Sequence, residues 1–77
     1  MTLRFDINAI NKVYDFFEYD NIHKMEGGYI IVKAEYPVGE WLYSMLLSFG
    51  NQEEVLEPGK LREELKNRIY LMKEIYK

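Results

Sequence analysis

The stretch that most constrains the fold is residues 40–58, EWLYSMLLSFGNQEEVLEP, where a strongly apolar helix pattern is followed by a short strand pattern. The first ten residues place apolar side chains at helical spacing on one broad stripe. The stripe consists of Trp41, Leu42, Met45, Leu46 and Phe49. We expect these side chains to be core that packs on a sheet. Gly50 is expected to end the helix in a left-handed conformation.

The same helix carries a second apolar strip. Tyr43 and Leu47 are four residues apart and lie on a different side of the helix from the main stripe. One sheet surface would not cover both strips. The sequence therefore predicts that another element or a partner covers Tyr43 and Leu47.

Strand patterns precede and follow this helix. Residues 2–7 alternate Leu3, Phe5 and Ile7 with polar side chains, which predicts a strand with one buried face. Residues 29–36, YIIVKAEY, alternate in the same way. One face of this strand carries Ile30, Val32, Ala34 and Tyr36, and the other carries Tyr29, Ile31, Lys33 and Glu35.

Turn signals place two shorter strands. Gly27 and Gly28 accept the positive φ angles of a tight hairpin, so residues 22–26 are predicted to form a strand that pairs with the next one. Residues 52–56 form a fourth strand, and its acidic side chains suit the edge of a sheet.

Two further helices follow from apolar spacing. The first is predicted over residues 9–17 with Asn8 as its N-cap, and its stripe consists of Ile10, Val13, Tyr14 and Phe17. The last is predicted over residues 59–76, with Pro58 in its first turn. Its single stripe consists of Leu61, Leu65, Ile69, Met72 and Tyr76.

The element order β-α-β-β-α-β-α predicts one α+β domain over residues 1–77. We expect a ferredoxin-like fold with an added C-terminal helix, in which two helices cover one face of a four-stranded antiparallel sheet. The other face would expose Tyr29 and Ile31. This face is apolar enough that the added helix or a partner is expected to cover it.

Composition limits the classes of function. The chain has no cysteine, which excludes disulfides and thiolate metal sites, and no stretch approaches the roughly 20 apolar residues of a membrane span. We therefore expect a cytoplasmic protein that does not enter a membrane. Residues 1–59 hold four Lys or Arg and ten Asp or Glu, a net charge of −6, whereas residues 60–77 hold six and three, a net charge of +3. This asymmetry favours docking of the basic C-terminal segment on the acidic body of the same chain or of a second copy.

No pattern indicates catalysis, a cofactor or a metal. Ser44 and Ser48 suit close packing or a wet helix face, and His23 has no second histidine with which to form a site. Glu53, Glu54 and Glu57 lack calcium-loop spacing and are interpreted as a solvated edge. A phosphate-binding glycine loop opens a helix, whereas Gly27-Gly28 lies between two strands.

Residues 40–65 closely resemble a known family. The helix that starts near Trp41, the Gly50 that ends it, the strand ending in VLEP and the LREEL helix resemble the C-terminal extension (WCX) of bacterial transcriptional regulators with a WYL domain, of the DeoR-like or YafY-like helix-turn-helix class. The upstream residues match this family in element order only.

The resemblance implies a fragment of a longer regulator. Such regulators carry a helix-turn-helix and a WYL domain before this extension, so DNA would be bound only through the helix-turn-helix. The extension would assist dimerisation and the effector response of the WYL domain. The expected partners are a second copy and the parent WYL domain, and the candidate contact residues are Trp41, Tyr43, Leu47, Tyr29, Ile31, Leu71 and Ile75.

Domains with the predicted fold also serve two other functions. An open sheet with aromatic side chains is how the RNA recognition motif binds single strands, and residues 28–32 resemble its third strand. However, Ile31 and Lys33 stand where a second stacking aromatic would be needed, and the body of the domain is acidic. A small-ligand sensor is the other alternative, and it leaves no motif in the sequence.

Overall fold

A computed structural model describes all 77 residues, 1–77. Four strands and three helices follow one another in the predicted order. The elements are β1 (Thr2–Asp6), α1 (Ile10–Phe16), β2 (Ile22–Met25), β3 (Tyr29–Lys33), α2 (Glu40–Leu47), β4 (Glu53–Glu57) and α3 (Gly59–Ile75). Short 3-10 turns at Ile7–Ala9, Tyr19–Asn21 and Gly50–Gln52 connect them.

The strands form one antiparallel sheet in the order β2-β3-β1-β4. β1 and β2 run in the same direction with β3 between them, which is the arrangement of a split β-α-β unit. The predicted α+β class with a four-stranded antiparallel sheet is confirmed. β4 lies at an edge of the sheet, as its acidic residues predicted.

The core lies between one face of the sheet and the helices. β1 and β3 supply alternate side chains that are fully buried, including Leu3, Phe5, Ile30 and Val32. The helices close the core over them. The fourteen buried residues are Leu3, Phe5, Ala9, Val13, Phe17, Ile30, Val32, Leu42, Met45, Leu46, Phe49, Val55, Leu61 and Leu65.

Several element ends differ from the prediction for local reasons. Asn8 does not cap α1. Instead, the Asp6 carboxylate accepts a hydrogen bond from the Asn8 backbone N–H at 2.8 Å and starts a 3-10 turn before the helix. β3 ends at Lys33 and not at residue 36, because β1 begins at Thr2 opposite Lys33. Beyond that pair, Ala34 alone continues the backbone pairing, since its N–H donates to the Met1 carbonyl.

The end of α2 bears out the role predicted for Gly50. The regular helix ends at Leu47 and two turn residues follow it. Gly50 then takes a φ of +61°, a conformation that glycine adopts without a steric penalty. The chain thereby turns back toward the sheet edge and enters β4.

Pro58 was predicted in the first turn of α3, but it stands just before the helix. Its carbonyl accepts a hydrogen bond from the Arg62 N–H.

α3 packs beside α2 and not on the open face of the sheet. Leu61 and Leu65 belong to the common core. The Arg68 guanidinium lies 4.2 Å from the centroid of the Tyr43 ring, and its Nη2 is 2.6 Å from Glu40 Oε2. The second strip of α2 is therefore covered in part by the chain's own last helix. The open face of the sheet has no helix on it.

Candidate interaction surfaces

The C-terminal half of α3 exposes the face that its first half buries. Leu61 and Leu65 are buried, but the predicted stripe continues through Ile69, Met72 and Tyr76 into solvent. Met72 is 47% exposed and Tyr76 is 89% exposed. The expectation of one buried stripe is thus wrong beyond Leu65. A helix of 17 residues is about 25 Å long, and the body of this domain covers only its first half.

Two of the candidate contact residues widen this exposed face. Leu71 is 54% exposed and Ile75 is 75% exposed. At about 100° per residue they lie on one side of the Met72 line, while Ile69 and Tyr76 lie on the other. We call the five residues Ile69, Leu71, Met72, Ile75 and Tyr76 the α3 overhang. It is a broad apolar surface on a regular helix.

Trp41 lies on a second apolar surface and not in the core. The prediction that Trp41 is buried is wrong, because its side chain is 59% exposed. It lies on the flank of α2 that faces α1. Its ring makes edge contacts with Phe16 at 6.4 Å and Tyr36 at 5.8 Å between centroids, and the Tyr36 hydroxyl donates to the Phe16 carbonyl.

Two exposed tyrosines extend this surface. Tyr14 and Tyr19 stack with their rings nearly parallel and 5.9 Å apart. Tyr14 was expected in the apolar stripe of α1, but it is 38% exposed. It lies beside Phe16 on the lining of a shallow groove that also contains Tyr36. We call Tyr14, Phe16, Tyr19, Tyr36 and Trp41 the aromatic patch.

Acidic side chains surround the aromatic patch. Asp15 and Glu18 line the same groove as Tyr14 and Tyr19, and Asp20 follows directly in the chain. All three are exposed and none of them forms an ion pair. The patch therefore combines apolar rings with uncompensated negative charge.

The open face of the sheet is less exposed than expected. Tyr29 and Ile31 are both half-buried. The Arg4 guanidinium lies 4.5 Å from the centroid of the Tyr29 ring, so one surface of that ring is occupied. Tyr29 is the only Phe, Tyr or Trp that the four strands place on this face. These contacts do not favour stacking of nucleic-acid bases on the sheet.

Glu53 does not belong to a solvated edge. It is opposite Phe5 in the register, which places it on the core side of β4. Its Oε1 is buried without a hydrogen-bond partner. Burial, with a smaller contribution from the charge of Glu54, raises the pKa of Glu53 from 4.5 to about 7. The expectation holds for Glu54 and Glu57, which are exposed.

The other candidate sites remain dispersed. His23 is exposed on β2, and no group of three or more His, Cys, Asp or Glu is arranged to hold a metal ion. A cleft of about 1030 Å³ lies at one end of the sheet between residues 33–36 and residues 57–59, with Leu42 and Leu61 in its lining.

The seven candidate contact residues lie in four places. Leu71 and Ile75 are on the α3 overhang and Trp41 is in the aromatic patch. Tyr29 and Ile31 are on the open face, whereas Tyr43 and Leu47 are half-buried on α2. The sequence did not mark Ile69, Met72 and Tyr76 as contact residues, because their spacing is equally typical of core. Nor did it single out Tyr14, Phe16 or Tyr19.

Comparison with known proteins identifies the family. The WCX domain model matches residues 1–72. The chain is 34% identical over 70 residues to YobV of Bacillus subtilis (strain 168), described as an uncharacterized HTH-type transcriptional regulator. That match covers 90% of this chain and 22% of YobV. No solved structure gives a significant match, and no helix is long and apolar enough to cross a membrane. The chain belongs to the WCX domain family.

Proposed function

We propose that the chain is a regulatory and oligomerisation module of a bacterial transcriptional regulator, with no catalytic activity of its own. In this proposal it assists dimerisation and the effector response of an adjacent WYL domain. A helix-turn-helix elsewhere in the parent protein binds DNA, and the whole regulator acts in the cytoplasm. Membership of the WCX family and similarity to one-fifth of an HTH-type regulator support this role.

The α3 overhang is the observation that carries the proposal. It presents five apolar side chains to solvent from a regular helix, on the line of the helix's own buried stripe and beside it. An exposed apolar surface of this kind marks a site of protein association. Its large side chains include Met and Tyr, which are enriched at interfaces. We therefore propose that the module works by protein contact.

The other candidate residues take secondary roles in this proposal. Trp41 belongs to the same association, through the aromatic patch. Tyr29 and Ile31, on the one sheet face without a helix, are proposed to contact the parent WYL domain. Tyr43 and Leu47 act indirectly, because Tyr43 supports Arg68 and with it the position of α3.

Sedimentation of the isolated chain tests this function. We expect a reversible dimer, and we expect Met72→Asp to raise the dimer Kd about tenfold or more, because it places a charge in the centre of the apolar surface. Asn67→Asp is the matched control. It adds the same charge to an exposed position of α3 about 140° around the helix from Met72 and should leave the dimer Kd within about twofold. A chain that stays monomeric at all concentrations contradicts self-association.

A further inference from the structure

We propose that the α3 overhang of one copy docks on the aromatic patch of a second copy, and that the exchange is reciprocal. This inference rests on the proposed self-association and specifies its two surfaces. Each copy then contributes one helix and receives one. The pairing is a two-fold symmetric arrangement in which every contact occurs twice.

The two surfaces cannot meet within one chain, because α2 lies between them. Trp41 and Tyr43 are separated by about 200° around α2. Trp41 contacts Phe16 of α1, and Tyr43 lies under Arg68 of α3. α3 is an uninterrupted helix from Gly59 to Ile75, so its far end does not fold back across α2. A second copy removes this constraint.

Charge favours this pairing of surfaces. Lys66 and Lys73 lie along one flank of the overhang and form no ion pair. Lys77 follows on the same flank and pairs with Glu74 at 2.7 Å. Asp15, Glu18 and Asp20 beside the aromatic patch are also without ion pairs. Docking places the basic flank against the acidic border.

The surface area that this pairing would bury is adequate for a stable contact. Tyr19 is 73% exposed, and Trp41 and Tyr76 are also more than half exposed. A fully buried aromatic side chain removes roughly 150–250 Å² from water. Because each contact occurs twice, these three side chains supply roughly half of the 1,200–2,000 Å² of a standard interface. A symmetric pairing of two α3 helices would instead leave both aromatic patches exposed.

Crosslinking between differently labelled chains tests the pairing, and the absence of native cysteine makes each site unique. A chain with Met72→Cys is mixed with a chain with Tyr19→Cys and treated with a short bismaleimide. We expect the mixed crosslinked dimer to be the main product. Lys60→Cys, on the same helix about 18 Å from residue 72, is the matched control and should give little mixed product with Tyr19→Cys.

Charge reversal gives a second readout that does not depend on crosslinker reach. Lys73→Glu should raise the dimer Kd about threefold to tenfold, and adding Asp15→Lys to the same chain should restore most of the lost affinity. Self-crosslinking of Met72→Cys as the main product, with no rescue by Asp15→Lys, would overturn the proposed pairing while self-association stands. A wild-type chain that remains monomeric would overturn self-association and this pairing with it.

Discussion

Glu53 has an ionisable side chain, and one of its carboxyl oxygens, Oε1, is buried from water. It is the first residue of β4, and its side chain lies on the core side of the strand, in a groove that also contains Arg62, Leu65 and Lys66. Arg62 is already paired, since its Nη1 donates to Glu54 Oε2 at 2.7 Å and to the Val55 carbonyl at 2.8 Å. Neither Arg62 nor Lys66 forms an ion pair with Glu53, and burial is the main cause of its raised pKa.

The raised pKa of Glu53 has a definite consequence for stability. The folded chain holds the proton more tightly than the unfolded chain, so the stability linked to this group is full below pH 4.5 and is lost as the pH rises to about 7. Above about pH 7 the ionised side chain opposes folding.

We predict that Glu53→Gln raises the free energy of unfolding by about 1–2 kcal/mol at pH 8 and changes it little at pH 4.5, after allowance for the partial exposure of the side chain. Urea unfolding at one protein concentration measures the change. Glu57→Gln, exposed on the same strand, is the control and should show no such pH dependence. An equal gain at both pH values for Glu53→Gln would be evidence against a buried carboxyl group.

Among the elements, α3 depends on few contacts for its position. Two leucines enter the core, Arg62 binds the edge of β4, and Arg68 bonds both Glu40 and Glu64 while it covers Tyr43. Arg68 thus joins α3 to α2. The overhang lies directly beyond this junction.

We predict that Arg68→Met speeds amide hydrogen exchange across α3 while exchange in β1 and β3 is unchanged. The substitution keeps much of the apolar stem but removes the bonds to Glu40 and Glu64. Lys60→Met is the matched control, because Lys60 is on the same helix, is exposed and forms no ion pair. Equal effects of the two substitutions would mean that Arg68 does not hold the helix.

Periodicity predicted which side of each helix faces the core, but not how far the neighbouring elements extend. Met72 and Tyr76 repeat the spacing of Leu61 and Leu65, yet only the first pair meets the body of the domain. Likewise, the broad stripe of α2 includes Trp41, whose position at the margin depends on where α1 lies. Such outcomes are set by tertiary contacts, which a single periodic segment does not encode.

For the whole molecule, topology was the most predictable property. Alternating apolar residues, the Gly27-Gly28 hairpin and the Gly50 turn were enough to predict four antiparallel strands with three helices. The motif over residues 40–65 predicted the family. The environment of Glu53 was not predictable, because it depends on the register between β1 and β4. The aromatic patch and the overhang were not predictable either. The patch combines residues of separate elements, and the overhang is exposed because of how the helices pack.

Hydrogen exchange of the wild-type chain at low and high protein concentration tests whether the exposed half of α3 is a contact surface between copies. We predict that amides of residues 69–75 are exchanged quickly in dilute solution and become protected as concentration rises, together with residues 14–20 and not with β2. Exchange of residues 69–75 that is independent of concentration, in a chain that sediments as a dimer, would contradict this role of α3.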